Sequence, residues 1–107
     1  MPNIKELNLS NNKIAGFGQL NELKSLHSLV LNGNRIKEIN NLNLPVLTNL
    51  SLDRNFISKL TGLRGLKKLE DLSLEGNLIT VASMQDLGYN LVSLKELSLG
   101  SNKITAV

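Results

Sequence analysis

The sequence predicts an α/β solenoid: an arc of about five stacked repeats, with short parallel strands on its concave face and 3-10, short helical or irregular segments on its convex face. Three observations carry this reading. Leucine occurs 24 times in 107 residues while aromatics supply only 3%, so one recurring aliphatic residue replaces the few large rings that usually anchor a compact core. Five nine-residue segments, starting at Ile4, Leu26, Leu47, Leu69 and Leu94, align without gaps as apolar-x-x-Leu-x-Leu-x-x-Asn. An isoleucine then follows each terminal asparagine by two positions, as Ile14, Ile36, Ile57, Ile79 and Ile104.

Each position in the repeat has a physical reason. Leu7 and Leu9 alternate with Asn8, a period of two, which predicts a short strand. Its leucines face inward, and Glu6, Asn8 and Ser10 face outward. One repeat cannot bury its own apolar face, so the neighbouring repeats supply the core. Asn12, Asn34, Asn55, Asn77 and Asn102 fall where the chain turns inward and backbone groups would otherwise lose water without gaining partners. A ladder of side-chain amides satisfies such groups, because each amide donates and accepts at once.

The asparagines are 22, 21, 22 and 25 residues apart, so two repeats depart from the period. The short one carries Asn43-Leu44-Pro45, where proline removes a donor and biases Leu44 towards an extended conformation. The long one spaces Met84, Leu87 and Leu91 at three and four, a helical stripe with Ser83 as its expected N-cap. The first repeat begins at residue 4 and the sequence ends at Val107, which leaves Leu97 and Leu99 on an uncovered edge strand. Residues 1–107 are therefore expected to be a single domain that is a piece of a longer protein lacking complete terminal caps.

The motif L-x-x-L-x-L-x-x-N-x-I resembles the leucine-rich repeat. The 22-residue spacing, with a second apolar triplet (Phe17, Leu20, Leu23; Leu60, Leu63, Leu66), resembles one subclass of that family. This subclass includes the regulatory subunit of protein phosphatase 1, an axonemal dynein light chain and a spliceosomal protein; bacterial internalins are a more distant likeness. The resemblance covers essentially the whole chain. It implies a protein-binding solenoid with a regulatory or scaffolding role, at a cytoskeletal or ciliary structure.

The outward strand positions form three columns. Glu6, Ser28, Asn49, Asp71 and Glu96 make the first, Asn8, Val30, Ser51, Ser73 and Ser98 the second, and Ser10, Asn32, Asp53, Glu75 and Gly100 the third. Five acids and no bases occupy these fifteen positions, leaving four acids against twelve bases elsewhere. Asp53 beside Glu75, and Asp71 beside Glu96, are expected to repel at strand spacing. Such a face suits a protein partner with a basic segment. Val30 is the one apolar residue in the columns. After each turn asparagine come Lys13, Arg35, Phe56, Leu78 and Lys103, so Phe56 and Leu78 form an apolar patch beside Arg54, Asp53 and Glu75, unless they fold over the core. The expected partner-binding residues are Glu6, Asn8, Val30, Asn32, Asn49, Asp53, Arg54, Phe56, Asp71, Glu75, Leu78 and Glu96.

Other function classes find little support. There is no cysteine for a disulfide or thiolate metal site,. His27 is the only histidine and has no recognisable catalytic partner. Asp53 and Glu75 approach the roughly 5–5.5 Å of a retaining glycosidase, but adjacent strands produce that spacing without a pocket. No catalysis, cofactor or metal is expected. The longest apolar run, Leu29-Val30-Leu31, is far short of a membrane span,. Net charge is only +3, and the basic residues, including Arg64, Lys67 and Lys68, lack the interleaved aromatics of nucleic-acid modules. Two glycosylation acceptor patterns, Asn8-Leu9-Ser10 and Asn49-Leu50-Ser51, lie on the proposed binding face, which favours a cytosolic or cytoskeletal location. A structural or oligomerising segment is the alternative reading, and a nucleic-acid-associated factor a remote one.

Overall fold

The structure, a computed structural model, describes residues 3–39, 42–63, 65–87 and 91–104, apart from the side chains of Met84, Asp86 and Leu87. Five strands of three residues form one sheet: β1 (Glu6–Asn8), β2 (Ser28–Val30), β3 (Asn49–Ser51), β4 (Asp71–Ser73) and β5 (Glu96–Ser98). They lie in chain order, β1-β2-β3-β4-β5, and every pair is parallel. The register never slips: Leu7, Leu29, Leu50, Leu72 and Leu97 are partners across the whole sheet. A one-residue slip would turn every leucine to solvent, so burial itself pins the register.

The core lies behind the sheet. Leu29, Leu31, Leu50, Leu52, Leu72 and Leu74 are buried, together with Ile36, Ile57 and Ile79 after the turns and Leu44, Leu60, Leu63 and Leu66 from the convex side. Each such side chain contributes on the order of 1.5–3 kcal/mol. Leu7, Leu9, Leu97 and Leu99, in the outer rungs, are only partly buried, because an edge strand has a neighbour on one side alone.

Four of the five turn asparagines form the expected ladder; Asn12 is exposed and its amide donates to the Leu9 and Ser10 carbonyls of its own repeat. The Asn55 amide donates to the carbonyls of Leu52 in its own rung (3.1 Å) and Leu31 in the rung before (3.0 Å), while its oxygen accepts the Ile36 N–H (3.0 Å). Asn34, Asn77 and Asn102 repeat this bridge one rung at a time. Asn34, Asn55 and Asn77 are only 3–4% exposed, so water cannot replace these bonds. The residue before each ladder asparagine has a left-handed backbone: Asn11, Gly33, Arg54, Gly76 and Ser101, with φ between 56° and 69°. In the fifth rung Ser101, not Gly100, takes that conformation.

The convex side varies from repeat to repeat. It holds 3-10 turns at Gly18–Glu22 and Thr61–Leu63, a turn at Pro45, and one helix, α1 (Val81–Leu87). The helix predicted for the long repeat exists, but Thr80 caps it, not Ser83. The Thr80 N–H donates to Ser83 Oγ (3.1 Å) and the Ser83 N–H donates to Thr80 Oγ1 (3.2 Å). This reciprocal box starts the helix three residues earlier than an N-cap at Ser83 would. Ser83 is buried and its hydroxyl also donates to the Ser58 carbonyl, fastening α1 to the third repeat. Leu91, the last residue of the predicted stripe, lies beyond the helix.

Two outcomes follow for stability. Asn55→Ala leaves the Ile36 N–H unpaired in the core and takes one of two amide bonds from each of the Leu31 and Leu52 carbonyls, which Asn34 and Asn77 still serve. It costs roughly 2–3 kcal/mol in chemical denaturation, whereas Asn12→Ala, at an exposed rung, costs under about 1 kcal/mol. Gly76→Ala costs about 1 kcal/mol because alanine resists the left-handed backbone, while Arg54→Gly at the equivalent turn is neutral or slightly stabilising in the same assay.

Candidate functional site

The register brings the outward residues into the columns read from the sequence. Glu6, Ser28, Asn49, Asp71 and Glu96 are successive partners, as are Asn8, Val30, Ser51, Ser73 and Ser98. The third column lies just past the strands. The carbonyls of Asn32, Asp53, Glu75 and Gly100 accept the N–H groups of Asn11, Gly33, Arg54 and Gly76, which aligns them rung by rung. A shallow groove of about 270 Å³ crosses the middle of this face, with Ser51, Ser73 and Ser98 against Asn49, Asp71 and Glu96. The small serine side chains leave room for a partner's side chains to approach the sheet.

The acids on this face are not equivalent. Asp53 Oδ1 accepts the Ser73 hydroxyl (2.6 Å) and the Glu75 backbone N–H (2.9 Å). Asn32 Oδ1 does the same one rung earlier, for the Ser51 hydroxyl (2.7 Å) and the Asp53 N–H (2.8 Å). The expected repulsion between Asp53 and Glu75 is thereby offset, because the carboxylate bonds the glutamate's own backbone. Asp71 also has an internal partner, the Asn49 amide at 2.9 Å, and Asn49 in turn accepts the Thr48 hydroxyl. Asn8 accepts the Ser10 N–H within its own turn (3.0 Å). Glu6, Glu75 and Glu96 are exposed and, among the described residues, carry no hydrogen bond or ion pair from their side chains. Val30 is half-buried. Sequence reasoning missed the Asn32–Ser51 and Asp53–Ser73 bridges. The available signal was a hydroxyl two positions before the next third-column residue in both rungs.

Phe56 and Leu78 do not fold over the core. They are 50% and 40% exposed, on adjacent rungs joined through the Ile57 carbonyl that accepts the Leu78 N–H. The turn at Arg54–Asn55 lies between Asp53 and Phe56, and along the stack the apolar pair is followed by Arg35 on one side and Lys103 on the other. Arg54 is exposed, with its side chain against Gly76.

His27 is exposed and its Nδ1–H donates to the Ser25 carbonyl (2.9 Å). Among the described residues no group of three His, Cys, Asp or Glu side chains could hold a metal ion. Lys67 and Lys68 are exposed; Arg64 lies outside the described residues. No helix among the described residues is long and apolar enough to cross a membrane.

The unequal roles of the acids can be measured. Asp53→Ala removes two hydrogen bonds between rungs and costs about 1–2 kcal/mol of stability, while Glu96→Ala changes stability by no more than about 0.5 kcal/mol.

Comparison with known proteins agrees with the repeat geometry. A family model described as "Leucine Rich repeats (2 copies)" matches residues 2–44, and one described as "Leucine Rich repeat" matches residues 90–107. Among solved structures, internalin C2 from Listeria monocytogenes is 26% identical, with a TM-score of 0.59 over 96% of this chain and 54% of that one. A second internalin from the same organism, InlF, is 23% identical, with a TM-score of 0.48 over 98% of this chain and 44% of that one. The chain therefore spans about half the length of the internalins it matches. No curated protein sequence matches it. With five rungs in one parallel sheet, asparagine bridges between them and family matches at residues 2–44 and 90–107, the chain has the fold of a leucine-rich-repeat solenoid.

Proposed function

We propose that this chain is a protein-interaction module that docks a basic segment of its partner on the acidic concave face. The observation that carries the reading is charge segregation: five acids and no bases stand in the three concave columns, while the rest of the chain holds twelve bases and four acids. The exposed carboxylates of Glu6, Glu75 and Glu96 are free to receive Lys or Arg, and Asp71 lines the groove beside Glu96. Asp53 and Asn32 hold the rungs together and present their remaining surface, with Asn8, Val30 and Asn49 completing the face. Solenoids of this kind use extended concave surfaces for recognition. Complementary charge raises the association rate and selects among partners more than it adds affinity. The 22-residue spacing, with its likeness to phosphatase-regulator and dynein-light-chain repeats, supports a regulatory or scaffolding role.

The test compares the chain with an Asp71→Lys, Glu75→Lys, Glu96→Lys variant in affinity capture from cell extract, after circular dichroism shows both folded. Asp53 is left in place because its loss would loosen the rungs. A prey retained by the parent and lost by the variant, with retention that weakens as salt rises, is the expected result. Preys that are unchanged by the variant overturn the reading. A purely structural or oligomerising role would appear instead as a mass that rises with concentration.

A further inference from the structure

We propose that the edge formed by the residues after the ladder asparagines is a second docking surface, and that it takes an extended acidic segment with an apolar side chain between two carboxylates. Lys13, Arg35, Phe56, Leu78 and Lys103 occupy equivalent positions, and all are exposed. The N–H groups of Arg35, Phe56, Leu78 and Lys103 donate to the carbonyls of Ile14, Ile36, Ile57 and Ile79 at 2.8–2.9 Å. These bonds hold the side chains in one row, a rung apart. Scattered exposed apolar residues need no explanation, but two on adjacent rungs of an otherwise cationic row make a patch.

The surroundings of the patch define its occupant. Lys37 and Lys59 stand on the same edge, where Glu38 is the one acid among the described residues and is bridged to Lys59 through the backbone. The only ion pair among the described residues is Lys95–Glu70 at 3.6 Å. The charges of Arg35 and Lys103 are therefore not neutralised within the chain. A carboxylate is the natural partner for each, and the Arg35 guanidinium can hold one through two parallel hydrogen bonds.

The spacing sets the pattern of the segment. Arg35 and Lys103 are three rungs apart, about 14 Å at a rung spacing of about 4.8 Å. An extended chain covers that distance in about four residues and turns every second side chain to the same face. An acid-x-apolar-x-acid segment thus places its carboxylates at Arg35 and Lys103 and its apolar side chain over Phe56 and Leu78. This surface is opposite in charge to the concave face and does not depend on it.

The test is a titration followed by amide chemical shifts, using a Glu-Ser-Leu-Ser-Glu peptide and a Lys-Ser-Leu-Ser-Lys counterpart. The glutamate peptide is expected to shift Arg35, Phe56, Leu78 and Lys103 saturably, and the lysine peptide to leave them unmoved. Phe56→Ser with Leu78→Ser should weaken binding at least tenfold. Arg35→Glu with Lys103→Glu should exchange the preference, so that the lysine peptide binds. The concave variant described above should bind the glutamate peptide like the parent, which separates failure of one surface from failure of the other. Absence of saturable shifts overturns the proposal, as do shifts confined to the strand face, equal binding of both peptides, or a preference that survives the charge exchange.

Discussion

The stacking of this molecule rests on one arrangement, the bridge that an asparagine, buried at Asn34, Asn55 and Asn77, makes to the rung before it. Its amide satisfies two carbonyls and its oxygen satisfies an N–H, and these three groups belong to two different repeats. Without the bridge, the inward turn would bury polar backbone with no partner, at a cost that leucine packing alone would have to offset. With it, the chain can turn inward at the same place in one rung after another, and Ile36, Ile57 and Ile79 reach the core. The strands are short because they need only carry the chain from one turn to the next.

The same regularity explains how two oppositely charged surfaces can coexist on so small a protein. Strict register places each repeat position in its own column, so charge of one sign can gather in one column without entering the next. Acids gather where the strands face outward, and bases where the chain has passed the asparagine. The turn at the left-handed residue lies between the two. The third column belongs to both structure and surface: Asn32 and Asp53 spend one oxygen on the next rung, whereas Glu75 and Gly100 do not.

The columns were legible in the sequence because their cause is local: a period of two, an amide at a fixed offset and an aliphatic residue after it. All three strand-face columns and the buried convex leucines appear where that pattern predicts. The errors occur where several residue types can play one part. A carboxylate at position 53 looks the same in sequence whether it faces solvent or the next rung's hydroxyl. Thr80 and Ser83 are both good caps, and only their mutual hydrogen bonds show which one begins the helix. Whether Phe56 and Leu78 cover the core or stand free depends on how well the inner leucines already fill it. The predicted helical stripe and the basic cluster around Arg64 extend in part outside the described residues.

The asparagine bridge also gives the solenoid a mechanical character. Tension drawn along the stack from β1 to β5 passes in series through four joints, each made of one strand pair and one shared amide. Joints in series yield at the weakest member. Here those are the outermost ones, where Leu7, Leu9, Leu97 and Leu99 are only partly buried. Under load the joints beside these partly buried leucines yield before the middle ones, where Leu29, Leu50 and Leu72 are buried and hold both the core and the groove intact.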